Sequence, residues 1–94
     1  MKQIIDDKLY NTDTASEVAS DYYWDGHNHD RHGRNTYLYK TKKGAFFVHH
    51  TTRWQGERDT LEAVSDEEAK GFYEQLPEHD MEYEDAFGEP PEEA

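Results

Sequence analysis

The sequence predicts an α+β fold: a three- or four-stranded antiparallel sheet built on a central hairpin, with two or three short helices packed against it. Three observations carry this prediction. Residues 36–51 are the densest run of aromatic and β-branched residues in the chain, and Lys42-Lys43-Gly44 breaks the run in the middle. Ser65-Asp66-Glu67-Glu68 has the form of a capping box and precedes an apolar stripe at helical spacing. Apolar residues are only 33% of the 94 and charged ones 34%, so seven Tyr, four Phe and two Trp must supply much of a thin core. A chain of this length has room for one domain, expected over residues 1–88, with residues 89–94 as a disordered acidic tail.

Along the chain, residues 3–5 read as a short strand, Asp6-Asp7-Lys8 as a turn, and Leu9-Tyr10 as a second extended piece. Asn11-Thr12-Asp13 supplies capping side chains. Ala15, Val18, Ala19 and Tyr22 then fall at i, i+3, i+4 and i+7, which predicts a short helix covering one face of the hairpin. Residues 25–35 hold two glycines and no apolar side chain, and read as a loop. In the hairpin, a three-residue loop with Gly44 in the left-handed conformation pairs Lys40 with Phe46, Tyr39 with Phe47 and Leu38 with Val48. Leu38, Phe46 and Val48 then share one face, and Tyr37, Tyr39, Phe47 and His49 the other. A connection around Trp54 leads to a third strand over residues 59–64. The capped helix follows to about Leu76, with Ala69, Phe72, Tyr73 and Leu76 in register. Pro77 suits the first turn of another helix over about 78–87, closed by Gly88.

Charge separates the chain into two unequal parts. Residues 1–56 carry eight Lys or Arg against seven Asp or Glu, a net of +1; residues 57–94 carry two against fifteen, a net of −13. Such a field repels nucleic acid and attracts basic surfaces, so a protein partner is expected and direct DNA or RNA binding is not. The chain has no cysteine, which excludes disulfides and thiolate chemistry. Acids interrupt the first residues too early for a signal peptide, and no apolar run nears the ~20 residues of a membrane helix, so a cytoplasmic, soluble protein is expected.

Four stretches bear a resemblance: Tyr10-Asn-Thr-Asp-Thr-Ala15, Leu38-Tyr-Lys-Thr-Lys-Lys-Gly-Ala-Phe-Phe-Val48, Val64-Ser-Asp-Glu-Glu-Ala69 and Tyr83-Glu-Asp-Ala-Phe-Gly88. In this order they resemble a small uncharacterised family encoded on phages, plasmids and conjugative elements. The resemblance implies a mobile-element setting and carries no catalytic residues; the histidine-rich loop and Trp54-Gln55-Gly56 depart from it.

Candidate chemistries reduce to one. His27, His29 and His32 with Asp25 and Asp30 offer metal-binding atoms, but the spacing fixes no geometry and a solvated loop is expected, with no metal or cofactor. No phosphate loop, nucleophile elbow or metal-protease motif is present, and an enzyme is not expected. The acids remain. Carboxylates three and four positions apart on a helix lie ~5–6 Å from one another, close enough to imitate a run of phosphates. Asp66, Glu67, Glu74, Glu78, Asp80, Glu82, Glu84 and Asp85 are the expected partner-binding residues, with Tyr83 and Trp54 as aromatic anchors at the rim. In size and acidity the chain resembles anti-CRISPR and anti-restriction inhibitors that act as DNA mimics. The alternative expectation is an accessory or structural protein that dimerises through Tyr37, Tyr39 and Phe47.

Overall fold

Two strands at the middle of the molecule, β4 (Arg34–Lys40) and β5 (Phe46–Thr52), form the expected hairpin in the expected register. This is a computed structural model, and it describes residues 1–21, 34–52 and 55–91. The Thr41 amide donates to the Ala45 carbonyl at 2.7 Å, and the Thr41 hydroxyl accepts from the Ala45 amide at 3.0 Å. Between them Gly44 takes φ +92°, where a side chain would be strained. The third strand, β6 (Thr60–Val64), adds antiparallel to β5 and puts Leu61 and Ala63 on the Phe47 side.

The sheet is larger than expected because two predicted helical stretches are strands. The first is β3 (Ser16–Ser20), which pairs with β4. Its register slips between Glu17 and Ala19, a β-bulge that lets Val18 and Ala19 both face the helix side at 0% exposure. Two adjacent inward residues reproduce the i+3, i+4 signal of a helix, and that is why the periodicity misleads here. Ala15 packs into the opposite core, and Tyr22 lies outside the described residues.

The second is β7 (Glu78–His79), which pairs with β3 so that the sheet runs β6-β5-β4-β3-β7, antiparallel throughout. An unpaired strand edge leaves backbone groups to be satisfied, and residues 78–80 satisfy those of β3, the Asp80 amide reaching the Val18 carbonyl at 2.9 Å. The helix predicted over 78–87 is therefore cut to α2 (Tyr83–Phe87). Gly88 ends it at φ +81°, as expected, its amide donating to the Glu84 carbonyl at 2.8 Å.

One core lies on each side of the sheet. On one side the helix α1 (Asp66–Gln75) lays Ala69 and Tyr73, with Leu76 just past its end, on Val18, Leu38, Phe46 and Val48; Ala86 of α2 joins them. On the other side a hairpin of β1 (Lys2–Ile5) and β2 (Lys8–Asn11) brings Tyr10 edge-on to Phe47, ring centroids 5.4 Å apart, while Tyr39 stacks on Phe47 at 5.2 Å. Its turn uses Asp6 and Asp7, both at positive φ. Arg34 and Asn35, expected in the loop, begin β4 instead; the Asp21 carboxylate accepts from the Thr36 amide at 2.8 Å and from the Asn35 side chain at 3.2 Å. No helix among the described residues is long and apolar enough to cross a membrane.

Candidate acidic docking surface

The predicted capping box is formed. The Ser65 hydroxyl accepts from the Glu68 amide at 3.1 Å, and the Glu68 carboxylate accepts from the Ser65 amide at 3.0 Å. The Ala69, Tyr73 and Leu76 stripe turns inward, so Glu67 and Glu74 point away from the sheet. Seven residues at 1.5 Å each put these two about 10.5 Å apart on one face, close to the ~10.2 Å axial rise of three nucleotide steps. Asp66 lies to the side, beside Lys70, Phe87 and Glu89.

Glu84 and Asp85 occupy the outer side of α2, because Tyr83, Ala86 and Phe87 face the core. Tyr83 is half-buried, 5.6 Å from the Tyr73 ring and 4.7 Å from that of Phe87, so much of its ring holds α2 in place. The α2 C-terminus has no basic residue of its own. Lys40 of β4 supplies the charge, its ammonium donating to the Ala86 carbonyl at 2.7 Å and the Asp85 carbonyl at 3.4 Å. Lys70 is engaged too, 3.7 Å from the Glu89 carboxylate and 5.8 Å from the centre of the Phe87 ring.

Strand alternation divides the remaining acids. His79 faces the helix side, stacked 3.9 Å from the Tyr73 ring with Nε2 donating to the Tyr73 carbonyl at 2.7 Å. Glu78 and Asp80 consequently project to the opposite side of the sheet. The eight predicted carboxylates thus run over the outside of α1 and α2 and wrap around the β7 edge, rather than sharing one flat face. All eight are exposed, and among the described residues none is ion-paired with a lysine or arginine.

The pair of Glu17 and Asp80 escaped sequence reasoning. Reading residues 15–22 as a helix gave Glu17 no strand neighbour; as a strand, it sits opposite Tyr39 and next to the Asp80 backbone. Burial, followed by a hydrogen bond with Asp80 and the Asp80 charge, pushes the Glu17 carboxyl from 4.5 up to about 7. Burial and then the charges of Glu17, Asp80 and Asp13 raise the Tyr39 hydroxyl above its usual value. Nearby, His49 is held below its ordinary value, chiefly by burial and against the attraction of Asp59 at 3.8 Å.

Lys8, Lys42 and Lys43 rim a cleft of about 550 Å³ with Leu9, Tyr10 and Ala45 among its walls, between the β1–β2 hairpin and the β4–β5 turn. On the aromatic face, Phe47 is fully buried beneath Tyr10, while Tyr37 and Tyr39 stay half-buried. The histidine loop with Asp25, Asp30, His27, His29 and His32, the proposed anchor Trp54, and residues 92–94 of the tail lie outside the described residues. Among the described residues no cluster of three or more metal-ligating side chains occurs. Scans against protein-family models, curated proteins and solved structures give no match to this chain.

Proposed function

We propose that this protein is a non-enzymatic acidic inhibitor, from a mobile element, that occupies the basic nucleic-acid groove of a defence nuclease or effector complex in the manner of an anti-CRISPR or anti-restriction DNA mimic. The observation that carries the reading is the set of eight exposed carboxylates on α1, β7, α2 and the segment between β7 and α2, with no lysine or arginine paired to them among the described residues. Carboxylates already neutralised within the molecule offer a basic partner little; seven of these are available, while Asp80 is engaged by Glu17. Glu67 and Glu74 give the most rigid spacing, because the capping box and the buried stripe fix their helix. Association of this kind is fast, screened by salt and competed by DNA.

The test is capture of a basic nuclease or effector complex from cells carrying such defences, on immobilised protein at low salt, with elution by duplex DNA. Glu67→Gln with Glu74→Gln should weaken capture at least tenfold, whereas Asp6→Asn with Asp7→Asn, the same loss of charge on the far hairpin, should change it less than twofold. Equal effects of the two pairs, or an affinity indifferent to salt, overturn the reading. Light scattering on the same samples checks the second reading, a dimer through Tyr37 and Tyr39; the buried state of Phe47 leaves that surface small.

A further inference from the structure

We propose that Glu17 and Asp80 form a proton-operated clasp: sharing one proton they hold β7 to the edge of β3, and on losing it they loosen that edge. The proposal goes beyond the docking surface and needs no partner.

Geometry places the two carboxyls together. β7 pairs through only two register positions, Ala19 with His79 and Ser20 with Glu78, and the chain runs on so that the Asp80 amide meets the Val18 carbonyl at 2.9 Å. The bulge after Glu17 sends Val18 inward and leaves Glu17 on the open side, where strand alternation also puts Asp80. The two side chains are therefore neighbours across the strand, and one carrying the proton donates to the other. Two negative carboxylates in that position repel, at the least supported strand of the sheet.

The surrounding charges favour the shared proton. Tyr39 faces Glu17 from β4, its hydroxyl held neutral by burial first and then by the charges of Glu17, Asp80 and Asp13. Next along the sheet comes His49, its ring centroid 6.5 Å from that of Tyr39, its pKa lowered by burial against the attraction of Asp59. Lys40 projects to the other side and is committed to α2. Burial first, and then the hydrogen bond with Asp80 and its charge, raise the Glu17 carboxyl to about 7, in keeping with this arrangement. Because the folded value lies above the unfolded one, the clasp is fully closed below about pH 4.5 and opens as pH rises through about 7. The one other titratable side chain of β7 itself that faces a neighbour is His79, on the helix side against Tyr73.

What opens is specific. Residues 78–80 link the end of α1 to α2, so loosening β7 frees the stretch carrying Glu78, Asp80 and Glu82, while α1 keeps its own cap and stripe.

The experiment is nuclear magnetic resonance on the whole protein between pH 5 and 8.5. The side-chain carboxyl carbon of Glu17 should titrate with a midpoint above 6, and Asp80→Asn should move that midpoint down by at least one pH unit. Hydrogen exchange, corrected for intrinsic pH dependence, should show the Asp80 amide losing protection about tenfold across the transition while the Val48 amide keeps its own. Glu17→Gln should abolish the change, and His79→Gln should preserve it. A Glu17 midpoint near 4.5, or a loss of protection that persists in Glu17→Gln and vanishes in His79→Gln, overturns the clasp.

Discussion

Replacing Lys40 with methionine tests whether the acidic surface acts as an organised structure or merely as net charge. α2 has five residues, too few to be helical alone, and its C-terminal carbonyls rely on the Lys40 ammonium at 2.7 and 3.4 Å. A hydrogen bond to a charged group contributes about 1.5–3 kcal/mol, and partial exposure reduces this to about 1–2 kcal/mol. The ammonium also lies 5.8 Å from the centre of the Phe46 ring, so methionine, of similar length, removes that attraction together with the two hydrogen bonds. Lys42→Met is the matched control: the same charge is lost from an exposed loop position, with an expected change within about 0.5 kcal/mol. Urea unfolding of both variants measures the difference, and hydrogen exchange at Gly88, whose amide donates to Glu84, reports α2 locally. The functional consequence runs against simple charge counting. Both variants are more negative than the native −12, yet Lys40→Met should bind a basic partner more weakly because Glu84 and Asp85 lose their fixed positions. Equal stabilities for the two variants, or tighter binding by both, would refute the reasoning.

Other consequences follow from the same contacts. Ser65→Ala removes the capping acceptor and should cost about 1 kcal/mol, a fall of roughly 4–8 °C in Tm by calorimetry. Phe47→Ala empties a site with no solvent exposure between Tyr39 and Tyr10 and should cost about 3–5 kcal/mol in urea unfolding. Stability should decline as pH rises through about 7 in the native protein, and this decline should be absent in Glu17→Gln; the full shift corresponds to about 3 kcal/mol, which solvent screening of this part-exposed group reduces to about 1 kcal/mol. His49 acts in the opposite sense, since its folded value lies below 6.5 and the unfolded chain takes up the proton first: a loss of stability on acidification should be present in Glu17→Gln and diminished when His49→Leu is added.

Local chemistry made much of the centre legible. The Lys42-Lys43-Gly44 loop and the alternation around it fixed both the register and the two faces of the hairpin, and Ser65 with Glu68 fixed the start of α1. Both failures have one cause. Residues 16–20 are a strand because β4 pairs with them, and residues 78–79 are one because β3 offers them an edge; periodicity along one segment does not register a demand made by another. The β-bulge compounded this by giving Val18 and Ala19 a helical spacing. In the candidate site, the exposure of the acids on α1 and α2 was legible from the stripes that face away from them. The division of Glu78 and Asp80 from the others was not, because it depends on β7 being a strand.

The brevity of β7 also bears on how this chain behaves in a crowded solution. A sheet rim is a template on which a neighbouring molecule can add its own strand, and a chain with a third of its residues apolar has little stability in reserve against such misassembly. Here the rim is two residues long, preceded by Pro77, and it carries Glu78 with Asp80 immediately after it. An incoming copy would find few backbone partners and would have to bring its own acids against these. The segment that completes the sheet on this side is thus also poorly suited to extending it, which leaves the five-residue β6 as the longer of the two edges.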